Sequence, residues 1–149
     1  MTAEDLIRRL RLVPLAGEGG FFRETLRSAH SSAIYYLLTP DTFSALHRLP
    51  GDEIFHFYVG DPVEMLQLRA DGTAATVLVG ADVARGMQPQ VVVPGGTWQG
   101  CRLVSGGTFA LLGTTMAPGF DLADFELGDR AVLIGRFPAH AAMIAALTR

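Results

Sequence analysis

His47, Glu53 and Gln99 are the residues whose types and surroundings could carry chemistry. His47 and Glu53 flank a Pro50-Gly51-Asp52 turn inside runs of Ala, Leu and Phe. Side chains alternate along a strand, so His47 shares a face with Ala45 and Leu49, and Glu53 with Phe55 and Phe57. If the turn folds these runs into a hairpin, imidazole and carboxylate meet on an apolar face. A carboxylate among Phe residues needs a cation, a hydrogen bond or a proton, which makes Glu53 the most informative residue. Gln99 begins the return from a second turn, Pro94-Gly95-Gly96.

Three readings follow from this set. In the first, His47 is an acid/base group oriented by Glu53, and Gln99 donates to a developing oxyanion. In the second, His47, Glu53 and the Gln99 carbonyl hold a divalent metal (Zn, Ni, Fe or Mn). In the third, the three form a buried polar cluster that satisfies only itself. Arg23, Glu24, Tyr36 and Phe55 join Gln99 as candidate ligand contacts. A surface ion pair is the competing account of Arg23 and Glu24, and a core role that of Tyr36. By alternation His56 faces away from Glu53, Trp98 away from Gln99, and Cys101 the same way as Gln99. The orientations of Tyr36 and Tyr58 stay open. Asp121 and Asp124 suit turn caps better than a calcium loop.

The elements that must position these residues are mostly strands. Short β-rich runs span Phe21–Leu26, Ala33–Thr39, Phe43–Leu49, Glu53–Val59, Val63–Arg69, Ala74–Val79, Gln90–Pro94, Trp98–Val104 and Thr108–Met116, separated by turn signals. Asp71-Gly72 signals a hairpin. Leu6, Ile7, Leu10 and Val13 recur at helical spacing behind a Thr2/Asp5 capping box. A second helix fits Asp129–Phe137, burying Val132, Leu133 and Phe137, and a third follows Pro138. The expected class is all-β, a sandwich, barrel or jelly roll with short helices at both ends, as a single domain over 1–149.

Composition narrows the partners. The chain has 149 residues, 49% hydrophobic and 18% charged, which excludes a disordered chain. Its net charge of −3 argues against nucleic acid. All 12 cations are Arg, with no Lys and no Asn. One cysteine, Cys101, excludes an internal disulfide framework. No apolar run is long enough to cross a membrane, and the acidic N-terminus lacks the apolar core of a signal peptide, so a cytoplasmic location without membrane contact is expected.

The two turn regions resemble the paired motifs of the cupin superfamily. In G-x5-H-x-H-x3-E-x6-G, His47, Glu53 and Gly60 fit, whereas Leu49 stands for the second His and Thr42 or Asp41 for the opening Gly. In G-x5-P-x-G-x2-H-x3-N, Pro94 and Gly96 fit, Gln99 stands for the His and Leu103 for the Asn. Glu18–Thr25, Ala33–Leu38, Phe43–Gly60, Pro89–Gln99 and Ala117–Glu126 together are similar to one branch, the small single-domain proteins catalogued as a fifth cupin family, long without assigned function. That resemblance implies a double-stranded β-helix jelly roll with a small-molecule pocket in the barrel, and a homodimer. Gly20-Phe21-Phe22-Arg23-Glu24-Thr25 and Ala45-Leu46-His47 are distantly similar to the deoxysugar-nucleotide epimerases, with Gly19 in place of a phosphate-binding Arg. The expected function is an isomerase or epimerase acting on a carbohydrate-like or other small carbonyl compound, with His47 as acid/base. The alternatives are a non-catalytic metabolite- or metal-binding protein and a metal-dependent lyase or dioxygenase.

Overall fold

The computed structural model describes residues 1–149. In chain order the elements are α1 (Ala3–Leu10), β1 (Val13–Pro14), β2 (Phe21–Arg27), β3 (Ser32–Leu38), β4 (Ser44–Arg48), β5 (Glu53–Gly60), β6 (Val63–Leu68) and β7 (Ala74–Val79). They continue with β8 (Gln90–Val93), β9 (Trp98–Leu103), β10 (Ala110–Met116), β11 (Glu126–Leu127), α2 (Arg130–Arg136) and α3 (Ala141–Ala146). Nine of these strands match the β-rich runs of the sequence; the two-residue β1 and β11 are too short to leave a periodic signal.

Two antiparallel sheets face each other. One runs β1-β2-β3-β10-β5-β8 and the other β11-β4-β9-β6-β7. The two catalytic-looking turns are corners between these sheets, not hairpins. β4 pairs with β9 and β5 with β8, so the two strand pairs form one ribbon that bends from sheet to sheet. The bend is fastened where the Gly96 N–H donates to the Leu49 carbonyl at 2.8 Å and the Gly95 N–H to Asp52 Oδ1 at 2.8 Å. A side chain at Gly95 would collide with the Pro50 carbonyl, so the two turns can stack only with glycine there. Consecutive strands usually pair with each other, and that default points the wrong way at both turns. It holds at Asp71-Gly72, where β6 and β7 form the expected hairpin and Thr73 N–H donates to Asp71 Oδ1 at 2.9 Å.

The core has three parts. Tyr36, Leu38, Phe55, Met65, Val91, Val93, Cys101 and Leu112 fill the space between the sheets. Leu6 of α1 joins Leu12, Leu37 and Leu111 in a smaller cluster. On the other side of the five-stranded sheet, Leu133, Phe137, Ile144 and Leu147 cover Leu46, Leu66, Leu68 and Trp98. Each fully buried Leu, Ile or Phe of this kind contributes roughly 1.5–3 kcal/mol. The capping box at the start of α1 forms as expected, Thr2 Oγ1 accepting from Asp5 N and the Asp5 carboxylate accepting from Thr2 N. Two core expectations fail. Val13 leaves the helix after Arg11, which takes left-handed backbone (φ 56°), and enters the exposed β1. Val132 points to solvent because one α2 turn carries only Leu133 inward.

Candidate functional site

Between the sheets lies a cavity of about 820 Å³. Its walls are largely apolar, with Phe22, Ile34, Phe55, Met116, Phe120 and Phe125 among them. Depth can be read from burial. Tyr36, Leu49, Glu53, Phe55, Thr114 and Met116 are buried and form the floor, whereas Arg11, Val13, Pro14, Glu24, Arg27 and Leu122 are exposed and form the rim.

Strand register delivers the polar floor. Glu53 is the first residue of β5, directly opposite Val93 and Met116. Its carboxylate accepts from Gln99 Nε2 at 2.7 Å, so Gln99 reaches inward from the facing sheet to hold it. Burial pushes the Glu53 carboxyl above the usual carboxylate range, and the neighbouring charge of Glu18 pushes it the same way. His47, Gln99 and the Thr114 hydroxyl pull against that shift without cancelling it.

His47 sits opposite Gln99 in the β4–β9 register, and Gln99 in turn sits opposite Gln67. A register shift between Ser44 and His47 lets both oppose inward residues of β9. The His47 ring is almost wholly buried and stacks on Phe125 at 5.1 Å between centroids. Its Nδ1 lies 2.7 Å from the Ala45 carbonyl, which can only accept, so Nδ1 carries the proton. Nε2 therefore faces Glu18 Oε1 at 3.6 Å. The expected His47–Glu53 contact across a hairpin does not form: Gln99 bonds Glu53 from the facing sheet, and His47 Nε2 faces Glu18. His47 instead stands behind Glu18, outside the cavity lining.

Glu18 is the functional candidate that the sequence reading passed over. It lies in the loop before β2, lines the cavity, and accepts from Ser44 Oγ at 3.1 Å through Oε2. The loop is tightly held. Ala45 N–H donates to the Glu18 carbonyl at 2.8 Å, Tyr36 Oη donates to the Gly19 carbonyl at 2.7 Å, and Arg149 Nη1 donates to the Gly17 carbonyl at 2.9 Å. Gly19 takes φ +108°, where a side chain would strike the Phe43 carbonyl. The available signal was a carboxylate followed by two glycines, Glu18-Gly19-Gly20, just before a strand.

The other candidates divide. Phe55 and Tyr36 line the floor, Tyr36 with its hydroxyl spent on Gly19. Arg23 reaches the cavity rim, but its guanidinium lies over the Tyr35 ring at 5.4 Å. Glu24 is bound bidentately by Arg27 at 2.9 and 2.8 Å, an ion pair at the rim. Gln99 touches Glu53 rather than the cavity. His56, Trp98 and Cys101 face as alternation predicts: His56 bonds Thr115 at 3.0 Å, Trp98 packs under the terminal helices, and Cys101 is buried in the inner core. Tyr58 is exposed, edge-on to Tyr35. Asp121 caps the short turn after it, accepting from Ala123 N at 3.0 Å.

Within the expected metal set of His47, Glu53 and Gln99, two side chains are turned to protein partners. Gln99 turns its amide nitrogen, a donor, toward Glu53, and His47 turns toward Glu18. No three His, Cys, Asp or Glu side chains converge to hold a metal ion. The cavity lining holds a pair of carboxylates, Glu53 on the floor and the half-buried Glu18, with an imidazole behind one and a carboxamide behind the other, an arrangement suited to moving a proton.

Comparison with known proteins agrees with this architecture. The profile described as Cupin superfamily (DUF985) matches residues 4–128. A hypothetical protein from Leishmania major is 35% identical, with a TM-score of 0.92 over 99% of each chain. A protein from Shewanella oneidensis is 34% identical, with a TM-score of 0.92 over 100% of this chain and 98% of that one. An uncharacterised protein of Saccharomyces cerevisiae is 30% identical over 132 residues, covering 72% of this chain; the chain spans 66% of that relative's length. Oxalate decarboxylase of Bacillus subtilis, 16% identical with a TM-score of 0.62 over 91% of this chain, shares the fold. The chain belongs to the cupin superfamily, in the family of small cupins described as DUF985.

Proposed function

We propose that this protein is a small-molecule isomerase or epimerase that moves a proton next to a carbonyl group inside the barrel. The observation that carries the reading is the Glu18–Glu53 pair, two carboxylates lining one largely apolar cavity. Burial and the Glu18 charge favour the protonated form of Glu53, which makes Glu53 the acid and Glu18 the base. Glu18 takes the proton from the carbon beside the carbonyl. The electron pair moves to the carbonyl oxygen, which Glu53 stabilises by donating its proton. Glu18 then delivers the proton to the former carbonyl carbon while the adjacent hydroxyl gives its proton to Glu53, which isomerises a hydroxy-carbonyl compound without any co-reactant. His47 enters as the group behind Glu18, with its Nε2 toward Glu18 Oε1 at 3.6 Å, and not as the base that meets substrate. Acid–base groups of this kind typically contribute about 10²–10⁴-fold.

The experiment is solvent-deuterium exchange. Small hydroxy-carbonyl compounds and keto sugars are incubated with the protein in D2O and followed by proton NMR. The reading predicts deuterium at the carbon beside the carbonyl, lost in Glu18→Gln and strongly reduced in Glu53→Gln. A second reading, a non-catalytic metabolite-binding cupin, draws support from the apolar walls. It predicts saturable binding with no exchange on any bound compound.

A further inference from the structure

The deep part of the cavity holds hydrogen-bond acceptors most of whose local donors are already spent. Tyr36 Oη donates to the Gly19 carbonyl at 2.7 Å, Gln99 Nε2 to Glu53 at 2.7 Å, and Ser44 Oγ to Glu18 at 3.1 Å. The Thr114 hydroxyl is turned to Glu53. Ser32 Oγ accepts from the Phe120 backbone N–H at 2.8 Å, which leaves its own hydroxyl proton uncommitted. The cations of the lining, Arg11, Arg23 and Arg27, all belong to the half-exposed or exposed rim. Each carboxylate offers about four acceptor positions, so one or two bonds leave capacity that only an incoming donor can fill. The neighbours register the same negative field: Tyr36 and Cys101 are held protonated by burial first and by Glu18 next.

From this layout, and resting on the proton-transfer reading above, we infer a substrate class. The cavity takes a neutral hydroxy-carbonyl compound whose hydroxyl end enters first and whose remainder is apolar, and it rejects compounds that bring a carboxylate to the floor. A hydroxyl donates to Glu18 or Glu53, and an aryl or alkyl body rests on Phe22, Ile34, Phe55 and Phe125. A carboxylate in the same place meets two acidic side chains, with every Arg of the lining at the rim and His47 behind Glu18 rather than in the lining, a repulsive element of the kind that sets specificity.

The test uses two probes with one body. 2-Hydroxyacetophenone and benzoylformate share an aryl ketone and differ in carrying CH2OH or a carboxylate. Binding to the full chain is followed at pH 7 by chemical-shift changes at Phe22, Phe55 and Phe125. The hydroxyketone is expected to bind at least tenfold more tightly, and the ratio to shrink toward one in the Glu18→Gln/Glu53→Gln double variant. The double variant's circular dichroism and wild-type shifts at Trp98 report whether it is folded. Benzoylformate binding as tightly as the hydroxyketone, or a preference that persists in the folded double variant, overturns the substrate class and leaves the cavity as a ligand site. If neither probe shifts any cavity resonance while Trp98 reports a folded protein, the small-molecule reading itself fails.

Discussion

β4 and β9 are built with two unlike faces. Toward the barrel they present Ser44, His47, Gln99 and Cys101. Away from it they present Leu46 and Trp98, under Leu133, Phe137, Ile144 and Leu147 of the terminal helices. Both faces are buried, yet only the outer one gains the full benefit of apolar burial. The inner face carries polar groups that must be matched one by one, and every buried side-chain nitrogen and oxygen does find a partner. The same two strands therefore separate the residues that hold the fold from those that populate the site, and the two faces can be altered independently.

The largest effect is expected on the outer face. Leu133→Ala and Ile144→Ala each remove a fully buried side chain and should cost about 2–5 kcal/mol in urea unfolding, while the cavity keeps its probe binding at temperatures where the variant remains folded. A loss of binding larger than the unfolded fraction explains would join the two faces.

Glu53→Gln should act in the opposite direction. The folded-state pKa of Glu53 is raised, so its contribution to stability is complete below the ordinary Glu range and lost as pH rises through the raised value. The neutral amide escapes that loss and can still accept from Gln99. The variant should be more stable than wild type at neutral and alkaline pH, with the difference closing as pH falls below about 4. A thermal-melt series from pH 4 to 9 checks the sign; a variant less stable at every pH would place the gain elsewhere.

Arg149 sharpens the comparison from the loop side. It clasps the Glu18 loop through the Gly17 and Glu18 carbonyls and lies over the Phe43 ring at 4.4 Å. Arg149→Ala should cost roughly 1 kcal/mol of stability and also weaken probe binding, because Glu18 loses its fixed position. Arg149→Lys should restore only part of either, since an ammonium cannot reproduce the planar fork. The smallest effect belongs to the surface: Glu126→Gln, which breaks the exposed Arg48–Glu126 pair, should change stability by less than about 0.5 kcal/mol.

Much of this was legible in the sequence, and for definite reasons. Alternation placed Phe55, Trp98, His56 and Cys101 on their faces because a strand's period is fixed by its backbone. Glu53 stood out because an acid among Phe residues is costly. What stayed hidden depended on chain segments far apart. Neither turn could announce itself as a corner, since the contacts that make it one, Gly96 to Leu49 and Gly95 to Asp52, join turns more than forty residues apart. Glu18 lies in a loop without periodicity, and its place beside His47 depends on Ala45 and on Arg149 at the other end of the chain.

The most direct test is a carbon-13 NMR titration of the glutamate side-chain carboxyls, with Glu18→Gln and Glu53→Gln providing assignments. One buried carboxyl, Glu53, should titrate above the ordinary Glu value of about 4.3, and its midpoint should fall in Glu18→Gln as the neighbouring charge is removed. Glu53 titrating in the ordinary range, indifferent to Glu18, would contradict a coupled carboxylate pair in the lining of the barrel cavity.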